Sequence, residues 1–375
     1  MVQEKIKVNP NKNIDGLTFV LAMWLLSRLV IVVAIQFIAP LRDAAPVNYQ
    51  FPLLGFVPNF VPKMGWELFS HWDGAWYGQI ATLGYSYNND GQQYSIAFFP
   101  LYPLVSRVFM MFGLPFEVAG TLVNNLSFLG AMLLVNDWTK ERYGISVARW
   151  TTAVLAWFPY SLFGTVTYTE GLFLLLTTAA LRAFDKQKYL QSGLWGAMAT
   201  ATRPTGIALF PTFLFLAWKE KRSLLAYLAG MATSGGLLLF SLYCMIRFGD
   251  PLAFVHVQQA WQQQNLLDII QGALALNRDS LMKLLMLLGG GYLLWYLRAK
   301  LNHVVVAYGF FSLFLLAISK AFTSLDRYIY GIVSLSLALG MVFANHPRWG
   351  YGIIAFLAIW LVRFAILFAW WQFVA

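Results

Sequence analysis

Runs of about twenty apolar residues recur along the whole chain, separated by short polar breaks. A helix needs about 20 apolar residues to cross the hydrocarbon core of a membrane, so each run is a candidate span. They fall at 17–39, 97–113, 117–136, 147–165, 168–184, 190–217, 224–246, 279–297, 303–319, 327–345 and 349–373, which predicts about eleven helices. Two long segments break the pattern, 40–96 and 247–278; both are rich in aromatic, Gln and Asn residues and are expected to be folded. No internal repeat of the kind transporters show is visible.

The polar breaks also orient the chain, because Lys and Arg in short loops stay on the cytoplasmic side. Lys5, Lys7 and Lys12, the "KEKR" at 219–222, Arg298 with Lys300, and Arg348 mark that side. Segment 40–96 carries two basic residues against four acids (Asp43, Glu67, Asp73, Asp90) and is predicted to be external. With eleven spans, 247–278 and the "TSLDRY" turn at 323–328 fall outside as well. The mildly basic loops 137–146 and 185–188 do not fit this map, which leaves the helices between 97 and 217 open to breaks, re-entry or miscounting.

Composition agrees with the pattern. The chain is 59% hydrophobic and only 11% charged, where a soluble domain is about one quarter charged. It reads as one integral membrane domain over 1–375, with 1–16 as a cytoplasmic tail. The net charge of +10, from 26 basic and 16 acidic residues, sits in short clusters between apolar runs. Those clusters are topology signals, so no nucleic-acid partner is expected. A single cysteine, Cys244 inside an apolar run, excludes an intrachain disulfide and a Cys metal site. The first fifteen residues carry three lysines and no small-residue cleavage site before the apolar run, so the first span is expected to stay uncleaved.

The candidate chemistry is concentrated in "HWDGAWYGQIATLGYSYNNDGQQYSIAFFPLYP", His71 to Pro103, where Asp73 stands between two tryptophans. A helix here places Trp72, Trp76, Ile80 and Leu83 on one stripe, with Tyr77 one turn from Asp73, Ser70 as a possible cap and Gly84 as the stop. Such a helix suits the membrane surface and holds Asp73 at the water–lipid boundary. A plainer reading is that the acid only starts the helix.

The stretch "WDGAWYGQIATLGY" followed by "AFFPLYP" resembles the signature of the PIG-V-like mannosyltransferases, within the GT-C class of membrane glycosyltransferases. The resemblance continues through "YTEGLFLLLTTAAL" (168–181), "ATRPTGIALFP" (201–211), "GDPLAFVHVQQAW" (249–261) and "DRYIYG" (326–331). One departure is "RPTG" at 203–206 where the eukaryotic pattern resembles "RSNG", so the acceptor is not carried over. The resemblance implies an all-α GT-C fold with interfacial helices and a catalytic Asp in the first external loop, and a later loop closing the site. Asp73 matches that Asp, and 247–278 occupies the place of the later loop.

It also implies transfer of a sugar, mannose by the resemblance, from a polyprenyl-phosphate carrier to a hydroxyl of a lipid or glycan acceptor. One displacement inverts the sugar, and one carboxylate suffices as base because phosphate leaves without protonation. Arg203 lies in an apolar run, where an unpaired charge costs on the order of 2.5–3.5 kcal/mol, so it is a phosphate candidate or else a partner of Glu170. Pro204 and Gly206 are expected to break that helix. Arg327 and Lys320 flank the "AFTSLDRY" turn and are the other phosphate candidates, with Asp326 as an alternative partner for Arg327. Arg107 reads as a further buried cation, with a snorkelling side chain or a re-entrant segment as an equal reading. His71, Tyr77, Glu170, His256, Gln259 and Trp261 are candidate substrate contacts, the last three on an amphipathic helix of the second loop whose plainer reading is a solvated loop helix anchored by Trp261.

No D-x-D, Walker loop or dinucleotide glycine pattern occurs, and the histidines at 71, 256, 303 and 346 lack zinc-ligand spacing. No cofactor and no metal are expected. The membrane is expected to be a bacterial plasma membrane, with the endoplasmic reticulum as the alternative, and the site on the external or lumenal face. Two rival readings are a lipid or lipid-linked-sugar transporter and a noncatalytic subunit of a glycosylation complex.

Overall fold

The computed structural model describes residues 10–41, 62–261, 264–319 and 322–374, with side chains from residue 16 onward. Lys320 and Ala321, residues 42–61 of the first long loop, and Gln262 and Gln263 lie outside the described residues. The described chain is helical. After α1 (Pro10–Val33) come α2 (Asp73–Leu83), α3 (Leu101–Met110), α4 (Phe116–Tyr143) and α5 (Ile145–Trp157). The middle of the bundle holds α6 (Glu170–Asp185), α7 (Tyr189–Thr202), α8 (Leu209–Lys219), α9 (Leu224–Ala232) and α10 (Gly235–Phe248). Two short helices follow, α11 (Ala253–His256) and α12 (Leu266–Leu274). The chain ends with α13 (Arg278–Leu297), α14 (His303–Ile318), α15 (Leu325–Tyr330), α16 (Val333–Asn345) and α17 (Pro347–Ala369).

Among the described residues four helices are long and apolar enough to cross a membrane, or six if the bent pairs α9 with α10 and α15 with α16 each count as one span. Close approach between helices uses small residues, as membrane packing without a hydrophobic drive requires. A side chain at Gly236 on α10 would run into the backbone of Ala197 and Ala201 on α7.

Two predicted spans are corrected. The segment 97–113 forms only α3, 10 residues long, about 15 Å and half of what a crossing needs; it packs on α2 and α4. The segment 190–217 is two helices, not one. Chain direction reverses at Arg203-Pro204, where proline removes a donor and the preceding residue is extended. Gly206 packs back against the backbone of Ala199 and Thr200, and Phe213 of α8 stacks on Phe184 of α6 with ring centroids 4.1 Å apart.

That reversal accounts for the two loops that did not fit. Residues 140–146, 182–188, 219–222 and 298–303 gather at one end of the bundle. Arg142 meets Asp185 at 2.8 Å, Arg182 meets Glu141 at 2.7 Å, Arg222 donates to the Phe184 carbonyl at 2.7 Å and His303 meets Glu220 at 2.8 Å. The opposite end carries α2, the turn between α5 and α6, the 250–261 segment, α15 and the C-terminal residues after α17. There His71 reaches the Phe368 carbonyl, Tyr87 reaches Asp250 and Trp76 meets Trp261.

Candidate active site

The predicted acid lies beside a strained backbone position and within a cluster of buried charge. Helix α2 starts at Asp73, and the residue before it, Trp72, has φ +57°. That region disfavours a bulky side chain and is occupied only where the surroundings hold it. Ser70 makes no cap; its hydroxyl accepts from Thr167 at 3.0 Å instead. Gly84 ends the helix with φ +87°, as expected. The stripe is only partly buried: Trp76 and Ile80 face inward and Leu83 is exposed. Gly74 explains the glycine of "WDG", because a side chain there would collide with the Thr167 hydroxyl.

The loop facing Asp73 interrupts the bundle between α5 and α6, and polar groups from the spans hold it. The Asn124 amide of α4 donates to the carbonyls of Phe163 and Val166 at 2.6 Å each and accepts from the Gly171 N–H at 2.8 Å. Arg28, buried in α1, donates to the Ser161 carbonyl at 2.9 Å and its hydroxyl at 3.0 Å. Orphaned carbonyls of a broken helix are thereby satisfied. Arg28 was not singled out from the sequence, although the rule that flagged Arg203, a lone cation in an apolar run, applies to it equally.

This loop presents Tyr168 and Glu170 to a chain of charges. Arg327 on α15 donates to Asp73 Oδ2 at 2.8 Å, and its Nε lies 3.3 Å from Glu170 Oε1. Arg203 donates to the same Glu170 oxygen at 2.7 Å. The Asp73 N–H points to the Tyr168 hydroxyl at 3.3 Å. Aromatic rings line the arginines: Arg327 lies 5.0 Å from the Tyr168 ring centre, and Arg203 lies 4.6 Å from that of Tyr328. Two acids and two arginines balance, as buried charge must. Their exposure differs sharply: the side chains of Glu170, Arg327 and Arg203 are 2%, 5% and 8% exposed, whereas Asp73 is 27% exposed. Asp73 is the member of the four with an open side.

The other expectations divide. Arg203 is not mid-helix but at the end of α7, and its partner is Glu170. Asp326 does not neutralise Arg327; it turns away and accepts from the Tyr160 hydroxyl at 2.9 Å. Arg107 is exposed, not buried, because α3 is short and presents it outward. His71 is buried and stacks on Trp371 at 4.1 Å, with Nδ1 2.8 Å from the Phe368 carbonyl; burial pushes the imidazole down to about 4. It ties α2 to the end of α17 rather than facing a substrate. Tyr77 is buried against Tyr102 and Phe98, with centroids 5.1 and 5.2 Å away, so it packs beneath the cluster.

The second-loop segment is two short turns rather than one amphipathic helix. His256 and Gln259 are exposed, and His256 pairs with Asp250 at 2.7 Å. Trp261 is the member that reaches the site wall, edge-on to Trp76 at 6.1 Å and to Phe98 at 6.0 Å. Asp250 also accepts from Tyr87 at 2.8 Å, so the second loop is docked on the first. No group of three His, Cys, Asp or Glu side chains that could hold a metal ion occurs among the described residues.

The all-helical bundle with several apolar helices has the GT-C type of fold, shared with the solved structures it resembles. ArnT from Cupriavidus metallidurans bound to undecaprenyl phosphate superposes with a TM-score of 0.56 at 16% identity, over 90% of this chain and 63% of that one. Its apo form gives 0.54 at 14% identity, over 88% and 62%. The chain thus spans less than two thirds of the ArnT length. No protein of curated function matches the sequence. The family model for mannosyltransferase (PIG-V) matches residues 16–262, and the chain belongs to that family of membrane glycosyltransferases.

Proposed function

We propose that the protein transfers mannose from a polyprenyl-phosphate carrier to a hydroxyl acceptor on the external face of a bacterial plasma membrane, with Asp73 as general base. The observation that carries this is the asymmetry of the charge cluster: three members are sealed and the fourth, Asp73, is open at the end of the bundle opposite the basic loops. Basic loops stay cytoplasmic, so this end is external. ArnT with undecaprenyl phosphate bound supports a carrier of that class.

In the reaction the acceptor oxygen bonds to the anomeric carbon as the bond from that carbon to the phosphate oxygen breaks. The acceptor proton passes to Asp73, and the electron pair leaves on the carrier phosphate. Arg327 occupies an Asp73 oxygen in the structure, and a guanidinium there competes with the incoming proton. Arg327 is reached only past the open side at Asp73; a carrier phosphate entering there would draw the guanidinium off the Asp73 oxygen, and its arrival would release the carboxylate for the acceptor. Glu170 keeps Arg327 and Arg203 aimed and is a positioning residue. Arg203, sealed against Glu170, supports the phosphate through charge rather than contact. Lys320 remains a candidate second cation for the phosphate.

The test is product analysis. Purified protein in detergent is mixed with a panel of polyprenyl-phosphate sugars and acceptor extracts, and products are read by mass spectrometry. A new mannosyl product supports the proposal; no glycosidic product from any donor contradicts it.

A further inference from the structure

A cavity of about 550 Å³ lies at the end of the bundle away from Asp73. It is a groove between α8 and α14 at the basic end, walled by Phe215, Phe310, Phe311 and Phe314, with Lys219 and His303 at its mouth. Phe310 and Phe314 are 38% and 62% exposed, so the groove opens on the outer surface of the bundle. An apolar slot on that surface is filled by hydrocarbon. Its mouth is specific. Glu220, the acid beside it, is already held by Arg222 at 2.6 Å and by His303 at 2.8 Å. Lys219 has no carboxylate partner among the described residues; its ammonium lies 5.8 Å from the Phe215 ring centre. Lys221, Arg298 and Lys300, all exposed, add positive charge to the same end.

We propose that this groove seats an acyl chain of an anionic glycerophospholipid of the cytoplasmic leaflet, with the lipid phosphate on Lys219. An apolar slot ending in a cation without a carboxylate partner among the described residues, at the depth where basic side chains meet anionic headgroups, matches that ligand. The polyprenyl donor does not, because its phosphate has to reach Asp73 at the opposite end.

The experiment is thermal unfolding of the full chain in neutral detergent with added phosphatidylglycerol or phosphatidylcholine, since a ligand that binds the folded state raises the midpoint. Phosphatidylglycerol is expected to raise it by several degrees and phosphatidylcholine by much less. Lys219→Gln is expected to keep the lipid-free midpoint and lose most of the phosphatidylglycerol increment. Ala307→Phe, which fills the groove wall, should lose it too. Equal increments from the two lipids, or an undiminished increment in Lys219→Gln, would overturn the site. So would a polyprenyl phosphate that gives the same increment and displaces phosphatidylglycerol. None of these outcomes depends on sugar transfer.

Discussion

Both ends of the bundle carry arginine–carboxylate pairs of nearly equal length, and they do different work. At the basic end Arg142 meets Asp185 at 2.8 Å with the arginine side chain 44% exposed, and Arg182 meets Glu141 at 2.7 Å with the glutamate 45% exposed. At the far end Arg203 meets Glu170 at 2.7 Å and Arg327 meets Asp73 at 2.8 Å, with the arginines 8% and 5% exposed. Water screens the first set, and such pairs are worth about 0–1 kcal/mol each. In the second set Glu170, Arg203 and Arg327 have lost that water while Asp73 keeps an open side, and the buried members cost more to bury than their attraction returns unless every charge is matched. Distance alone does not distinguish a loop fastening from the proposed reaction centre; burial and the size of the network separate the two sets.

Four substitutions sharpen this contrast. Glu170→Gln leaves two buried arginines facing one partly open carboxylate, so it should lower stability most, by about 3–5 kcal/mol, read as a fall in the unfolding midpoint together with lost transfer. His71 gives the next effect. Its folded value, about 4, lies below the usual 6.5 because burial disfavours the charged ring, so the unfolded chain takes up the proton first. Stability should therefore fall as pH drops through 6.5 and level off near 4. His71→Phe should remove that part of the acid sensitivity, seen in the difference between the two midpoint–pH curves. Trp261→Ala deletes two edge-on contacts worth about 0.5–1.5 kcal/mol each and should speed hydrogen exchange across 253–260 by about tenfold, with little change in α4. Arg142→Gln, at the screened end, should shift stability by less than about 1 kcal/mol and leave transfer unchanged.

Much of this was legible in the chain. Apolar runs gave the membrane bundle, and "WDG" with its sequel pointed to Asp73. Pro204 and Gly206 marked a break, but the apolar run continues through it, so periodicity could not show that α8 turns back toward the basic end, where Phe213 meets Phe184. For the same reason 97–113 looked like a span: the run is apolar, and its shortness as a helix depends on Pro100 and Gly113 and on packing against α4. The partner of Arg327 was not legible because it lies 254 residues away. The adjacent Asp326 was the natural guess, yet neighbours on a helix point in different directions. His71 misled through chemistry, since a histidine two residues from the proposed base suggests contact with substrate, whereas its contact with the Phe368 carbonyl and its stack on Trp371 give it a structural role.

The most direct test of the account concerns Asp73 itself. Wild type and Asp73→Asn are titrated with polyprenyl-phosphate mannose for binding, then mixed with acceptor for single-turnover transfer. The account predicts donor binding within about twofold of wild type and transfer reduced by about 10²–10⁴-fold, the range for loss of a general base. Transfer by the Asn variant close to the wild-type rate, with donor bound, would contradict it.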